Sequence, residues 1–227
     1  MRGVSVLFAS STAIAGILHS AELSWINGSE FDNLGQSFYY TALTAGKEFK
    51  KRWRVMGRVW LDHLTYRFTA SDTRVTAKAP AFQVVGGVGY VRNGWRANIF
   101  AGYEKRTTEV DPDLPEIKIK GSVEGVALLG EAHLWFGKSS SVNFILSYST
   151  GTSYIWGMVS ASRELLFKSF RMGVEAIGQG NPDYRAFQGG IKAGIGKGSF
   201  FSGVRGGYKD SSTGRGAYAG FELYVGF

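Results

Sequence analysis

Gly216-Ala217-Tyr218-Ala219-Gly220-Phe221-Glu222-Leu223-Tyr224-Val225-Gly226-Phe227 ends the chain, and its reading decides the fold. Laid out as a strand, one face carries Ala219, Phe221, Leu223, Val225 and Phe227. The other carries Tyr218, Gly220, Glu222, Tyr224 and Gly226. Successive side chains on a strand project to opposite faces, so a period of two is the strand signature. An apolar stripe counted back from a terminal Phe looks like the closing strand of a bacterial outer-membrane β-barrel. An edge strand of a soluble sheet carries the same pattern, so the rest of the chain must decide.

Working back, the alternation recurs. Trp53, Val55, Gly57, Val59 and Leu61 share one face, with Arg54, Met56, Arg58, Trp60 and Asp62 on the other. Phe82 to Tyr90 forms a further stripe, and Asn93-Gly94 supplies a tight hairpin turn before Trp95, Ala97, Ile99, Ala101 and Tyr103. Stripes follow over 122–136, 142–149, 154–163, 170–176, 187–195 and 200–208, and Gln36 to Ala45 is an aromatic-rich segment near the start. About twelve strands result, each near the ~9–11 residues that a tilted strand needs to cross a bilayer. Asn27-Gly28-Ser29-Glu30 and Asp32-Asn33 read as loop. Short turns are expected near 46, 93, 138, 165 and 197, and longer links at 69–80, 107–119, 178–184 and 210–215, with a very short link at 151–152. Aromatic residues at the stripe ends favour a membrane barrel over a β-sandwich, because only a closed sheet pairs every backbone group in lipid. The expected fold is therefore all-β: an antiparallel up-and-down transmembrane β-barrel of about twelve strands with both termini periplasmic.

Composition agrees with this. The chain has 227 residues with 32 Gly, 4 Pro and no Cys, so disulfides and thiolate chemistry are excluded. Its formal net charge is +8, but no basic run exceeds Lys50-Lys51-Arg52 and no nucleic-acid motif is present. Residues 1–21 read as an export signal peptide, with Arg2 before an uncharged stretch that is too short for a spanning helix. Residues 22–227 then form a single barrel domain in the outer membrane, in contact with its lipid.

The polar face supplies the candidate lumen: Arg54, Arg58, Asp62, Arg96, Glu104 and Glu131 from the first half. His133, Trp135, Arg171, Glu175, Lys192, Arg205 and Glu222 complete it. Mixed charges inside a barrel either brace the wall across strands or line a narrow wet passage. Aromatics on the same face (Trp60, Phe100, Trp135, Phe201, Tyr218, Tyr224) offer stacking platforms for sugar rings or simple filling. Catalysis finds little support. His63 and Asp62 point to opposite faces, His133 shares its face with Glu131 and Trp135, and there is no G-x-S-x-G or metal-spaced His pair. No enzyme activity, cofactor or metal site is expected.

Phe100-Ala101-Gly102-Tyr103-Glu104, Leu146-Ser147-Tyr148-Ser149-Thr150, Gly173-Val174-Glu175-Ala176, Gly180-Asn181 and Asp183-Tyr184, together with the closing strand, carry a resemblance. Over roughly residues 80–227 the chain resembles the cellulose biosynthesis protein BcsS family of bacterial outer-membrane barrels. The resemblance implies a non-enzymatic accessory role in producing or exporting cellulose or a related exopolysaccharide, beside other cellulose-secretion components. A small solute-selective porin is the alternative, and an outer-membrane lipid-modifying enzyme the third. Asn181, Asp183 and Tyr184 are the candidate loop contacts for a partner or glycan. Phe221, Leu223, Val225 and Phe227 form the candidate barrel-assembly signal.

Overall fold

The computed structural model describes residues 22–137, 139–165 and 169–227, so the expected signal peptide lies outside the described residues. Twelve strands account for most of them. In order they are β1 (Glu22–Asp32), β2 (Ser37–Lys50), β3 (Trp53–Ala70), β4 (Thr73–Arg92), β5 (Trp95–Asp111) and β6 (Gly121–Phe136). The second half contributes β7 (Ser140–Ser149), β8 (Tyr154–Glu164), β9 (Phe170–Gly180), β10 (Arg185–Lys197), β11 (Phe200–Ser211) and β12 (Gly214–Gly226). Each strand pairs antiparallel with its neighbours in sequence, and β1 pairs with β12, which closes the sheet into a barrel. Trp25 stands opposite Val225 at this seam, so Glu22 and Phe227 lie at the same end of the barrel. Closure leaves no unpaired edge, the condition for burying a sheet in hydrocarbon.

The outer surface is apolar where a soluble protein would be polar. Ile99 is 67% exposed, Ile191 63% and Val204 60%, all on outward positions. Aromatic residues bracket this band: Phe82 and Tyr90, Trp95 and Tyr103, and Phe200 and Tyr208 each enclose nine residues. At ~3.4 Å per residue and a tilt near 40°, nine residues rise roughly 20–25 Å, matching the ~25 Å apolar band of outer-membrane barrels. Around the terminal-end rim Trp53 meets Tyr90 edge to face, with centroids 4.9 Å apart, and Tyr90 meets Trp95 at a 40° tilt, 5.4 Å away.

Above the band the alternation inverts its phase. In β3 the apolar positions face outward from Trp53 to Leu61, then inward at Leu64, Tyr66 and Phe68, with His63 exposed outside. In β4 Val75, Ala77 and Ala79 point inward and are at most 1% exposed, while Arg74 and Lys78 point outward. The backbone ladder runs through unbroken from Trp53↔Tyr90 to Ala70↔Thr73. Only the solvent outside the wall changes, from lipid to water.

This inversion corrects several boundaries. The link expected at 69–80 is a turn at Ser71-Asp72, both with positive φ, and the strands on either side continue to it. Residues 27–32 are strand rather than loop, because Asn27 to Phe31 pair with both β2 and β12, and Asp32 with β12. The turn placed near 46 lies at Lys51-Arg52, the 107–119 loop shrinks to 112–120, and 178–184 shrinks to 181–184. The link at 210–215 is reduced to residues 212–213. In each case polar residues sit on strands that project beyond the apolar band, where an outward polar side chain costs nothing.

The end of the barrel remote from the termini is sealed. Ile117, from the 112–120 loop, and Tyr184, from the 181–184 loop, pack with Leu64, Tyr66, Phe68, Val75, Ala77, Ala79 and Ala186 in one buried cluster. Phe38 and Tyr154 close on it from β2 and β8, so the cluster reaches across the lumen. Burying a side chain such as Ile117, 5% exposed, contributes about 1.5–3 kcal/mol and holds the loop inward. Asp183 accepts the backbone N–H of Ile119 at 2.8 Å, which fastens one loop to the other. At the exposed tip, the Ser71 hydroxyl holds the Glu116 carboxyl below its ordinary range.

Candidate functional site in the barrel lumen

Inside the wall, side chains reach past their neighbours because glycines leave gaps. Gly28 stands in register between Tyr40 on one side and Glu222 on the other. A Cβ there would meet the Tyr40 ring at 2.3 Å; without it, Tyr40 Oη crosses β1 and donates to Glu222 Oε2 at 3.0 Å. Gly220 plays the same part between Arg205 and Glu30, which pair at 3.0 Å across β12. Gly207 and Gly190 let Tyr218 span two strands to donate to Glu175 Oε1 at 2.9 Å. A pair that skips a strand in this way ties three or four strands together, which adjacent-strand pairs cannot do.

The resulting network sorts the predicted lumen residues by height. Nearest the seal, Arg106 donates to both oxygens of Asp62 at 2.9 and 3.2 Å and to Glu104 at 3.1 Å. On the opposite wall Lys209 pairs with Asp32 at 2.9 Å, and Gln188 donates to Glu30 at 2.7 Å. Midway, Arg58 contacts Glu131 through two hydrogen bonds, and Asn98 donates to the same carboxylate at 3.0 Å. Lys192 donates to Ser160 at 3.1 Å. At the terminal rim Arg54 pairs with Glu22 and Arg171 with Glu164. The bracing interpretation therefore describes Arg58, Asp62, Glu104, Glu131, Glu175, Arg205 and Glu222. Arg106 and Glu30 belong to the same brace and were not singled out in the sequence; Arg106 falls beyond the phase inversion, and Glu30 in a stretch that reads as loop.

A cavity of about 360 Å³ runs beside the brace, from Phe38, Leu64 and Tyr154 under the seal to the terminal rim past Ser24, Thr44 and Arg96. The aromatic candidates divide here. Phe100 and Tyr218 are 1% and 4% exposed and fill space, whereas Trp60, Phe201 and Tyr224 line the cavity. Trp135 stands at the rim, 40% exposed, with the Arg96 guanidinium 5.8 Å over its ring. Trp60 stacks on Tyr40 with centroids 5.1 Å apart and planes 5° from parallel.

His133 has Asn143 as its hydrogen-bond partner at Nδ1 and Trp135 beside its ring, with no hydroxyl nucleophile at either place. His63 faces outward, with Thr65 Oγ1 3.5 Å away. Among the described residues no group of three potential ligands could hold a metal ion.

The loop candidates turn inward. Asn181 Oδ1 accepts the backbone N–H groups of Asp183 and Tyr184 at 2.9 and 2.8 Å, and Tyr184, 2% exposed, donates to Gln36 Oε1 at 2.6 Å. These residues hold the seal, and of their segment Pro182 is the exposed one. The four terminal-strand candidates lie on the outward face, with Phe221 40% and Phe227 73% exposed. The Phe227 N–H donates to the Leu23 carbonyl at 2.8 Å.

Solved structures of the same architecture are outer-membrane proteins. An outer membrane channel from Pseudomonas putida F1 superposes with a TM-score of 0.56 at 5% identity, over 92% of this chain and 96% of that one. The beta domain of the Bordetella autotransporter BrkA gives a TM-score of 0.53 at 11% identity, over 92% and 99% of the two chains. The translocator domain of the autotransporter NalP from Neisseria meningitidis gives 0.51 at 11% identity, over 99% of both. At these identities the likeness is one of fold, and with the apolar band it places the chain in the outer membrane. No curated protein matches the chain. The family described as cellulose biosynthesis protein BcsS matches residues 10–227.

Proposed function

The chain belongs to the cellulose biosynthesis protein BcsS family, and from that premise we propose that it serves cellulose production as a closed, non-enzymatic accessory barrel and not as an open conduit. The observation that carries this reading is the seal: Ile117 and Tyr184 join inward side chains of β3, β4 and β10 in one buried cluster across the lumen. A polymer or solute crossing the barrel would have to break that cluster and the ion pairs beneath it.

The even strand number puts both ends of the described chain on one side, and outer-membrane barrels keep their termini and short turns in the periplasm. In that orientation the sealed end faces outward and the cavity opens to the periplasm, toward newly made polymer and the rest of the secretion machinery. The same seal speaks against the porin alternative, and the partners of His133 give no support to a hydrolase.

Two measurements test the reading together. Deleting the gene should lower cellulose-dye binding by the cells and leave small-solute uptake unchanged. The purified barrel in a planar bilayer should show no stepwise conductance, and a variant lacking residues 113–119 should conduct. Unchanged dye binding with lost uptake, or steady conductance of the intact protein, would replace the accessory role by the porin.

A further inference from the structure

The terminal half of the lumen presents an aromatic surface that the brace does not use. The Phe201 ring lies flat on the wall, because Gly194 and Gly203 leave room for it: a Cβ on either would meet the ring at 2.7 or 2.8 Å. One ring face rests on backbone and the other looks into the cavity, beside its register partner Tyr224, 37% exposed. On the opposite wall, about half the strand circuit away, Arg96 lines the cavity, and Trp135 stands just outside that lining, exposed at the rim with the Arg96 guanidinium over its ring.

The polar groups between these walls are under-used. Neither Arg96 nor Lys192 forms an ion pair among the described residues. The Nε2 atom of His133, which sits opposite Arg96 in register, is buried without a hydrogen-bond partner. A buried polar atom left unpaired costs about 1–3 kcal/mol, and since Nε2 is closed off, Arg96 and Lys192 are the groups that a ligand hydroxyl in the cavity would meet. The cavity volume of about 360 Å³ falls within the ~300–1,000 Å³ of small-molecule sites.

A pyranose whose substituents are all equatorial has two flat C–H faces and a rim of hydroxyls. Aromatic faces suit the former, and guanidinium, ammonium and imidazole groups suit the latter. A β-1,4-linked chain of such rings is a flat ribbon, whereas an α-1,4-linked chain coils and cannot lie against two facing aromatic walls. We infer that the terminal mouth of the lumen is a binding site for the end of a neutral, flat β-linked oligosaccharide, held between Phe201 with Tyr224 and Trp135 with Arg96. The inference rests on the accessory reading above and adds to it a ligand and a direction: the glycan enters from the terminal side and cannot pass the seal.

Cellohexaose titrated into the detergent-purified barrel, followed by tryptophan fluorescence and calorimetry, tests this. Saturable binding is expected, at least ten-fold tighter than for maltohexaose. Phe201→Ala and Trp135→Ala should each weaken it at least ten-fold, and the lipid-facing Tyr208→Ala should not. A retained difference in gel mobility between unboiled and boiled samples certifies that each variant is closed. No saturable binding by the folded protein, equal affinity for maltohexaose, or undiminished binding in both lumen variants would overturn the site. Lowered cellulose in the deletion strain without cellohexaose binding would remove the site and leave the accessory role standing. Cellohexaose binding with unchanged cellulose would do the reverse.

Discussion

Arg106 and Asp62 lock together across β4: Nη1 donates to Oδ1 at 2.9 Å and Nη2 to Oδ2 at 3.2 Å. Ala81 lies between them in register, small enough to let the contact pass over it. The two side chains are 8% and 3% exposed, and Arg106 also pairs with Glu104 at 3.1 Å. Replacing Arg106 by Leu strands two buried carboxylates, at an expected cost of about 3–5 kcal/mol. Urea unfolding of the refolded barrel reads this as a lowered midpoint. Adding Asp62→Asn and Glu104→Gln should restore most of the loss; an unrepaired midpoint would show that packing, not charge, is responsible.

Ile99 sits midway between Trp95 and Tyr103, 67% exposed on the lipid face. Arg at that depth should cost about 2–4 kcal/mol in lipid vesicles. Glu109 lies on the same outward face of β5 beyond the apolar band, and Glu109→Arg should stay within about 0.5 kcal/mol. Similar costs at both positions would mean that the band is wrongly placed.

Gly86 and Gly87 are adjacent in β4 but face opposite ways. A Cβ on Gly86 meets nothing within 4 Å, whereas one on Gly87 would lie 2.3 Å from the Ile99 carbonyl oxygen and 2.6 Å from the Phe100 ring. Gly86→Ala is expected to leave thermal stability unchanged or slightly raised. Gly87→Ala should lose about 1–3 kcal/mol through overpacking. Equal melting temperatures in the two variants would refute the account of inward glycines as space-makers.

Phe227 is 73% exposed on the lipid face, and its N–H bonds to Leu23 across the seam. Phe227→Asp places a charge on this apolar stripe and is expected to abolish insertion, seen as loss of the heat-shifted band from outer-membrane fractions. Phe227→Trp keeps the apolar face and should insert normally. Insertion of the Asp variant at the normal level would deny the terminal residue a part in assembly.

Strand number and barrel closure were legible because the lipid band imposes one rule, apolar outward, on Trp53 to Leu61 and its counterparts. Where β3 and β4 leave that band, the rule reverses without a bulge to mark it, so Thr69 to Pro80 reads as loop although all of it but the Ser71-Asp72 turn lies in the β3–β4 ladder. The inward charges were identifiable from alternation, but their partners were not: Arg58 meets Glu131 from three strands away, a relationship that depends on barrel curvature. Asn181 and Tyr184 have the polar, aromatic composition of a contact loop. Only the packing around Ile117 shows that they face inward.

The ties across β1 and β12 bear on how the barrel forms. Every other pairing joins strands that follow one another along the chain, but Trp25 and Val225, 200 positions apart, must also meet. Joining ends that far apart costs about 5 kcal/mol in chain entropy, concentrated in one late event. Glu30–Arg205 and Tyr40–Glu222 form only when that event has happened. The longest-range step thus gains its strongest polar contacts at the moment it occurs, which makes ring closure a switch between an open sheet with bare charges and a finished wall, and penalises any half-zipped state between them.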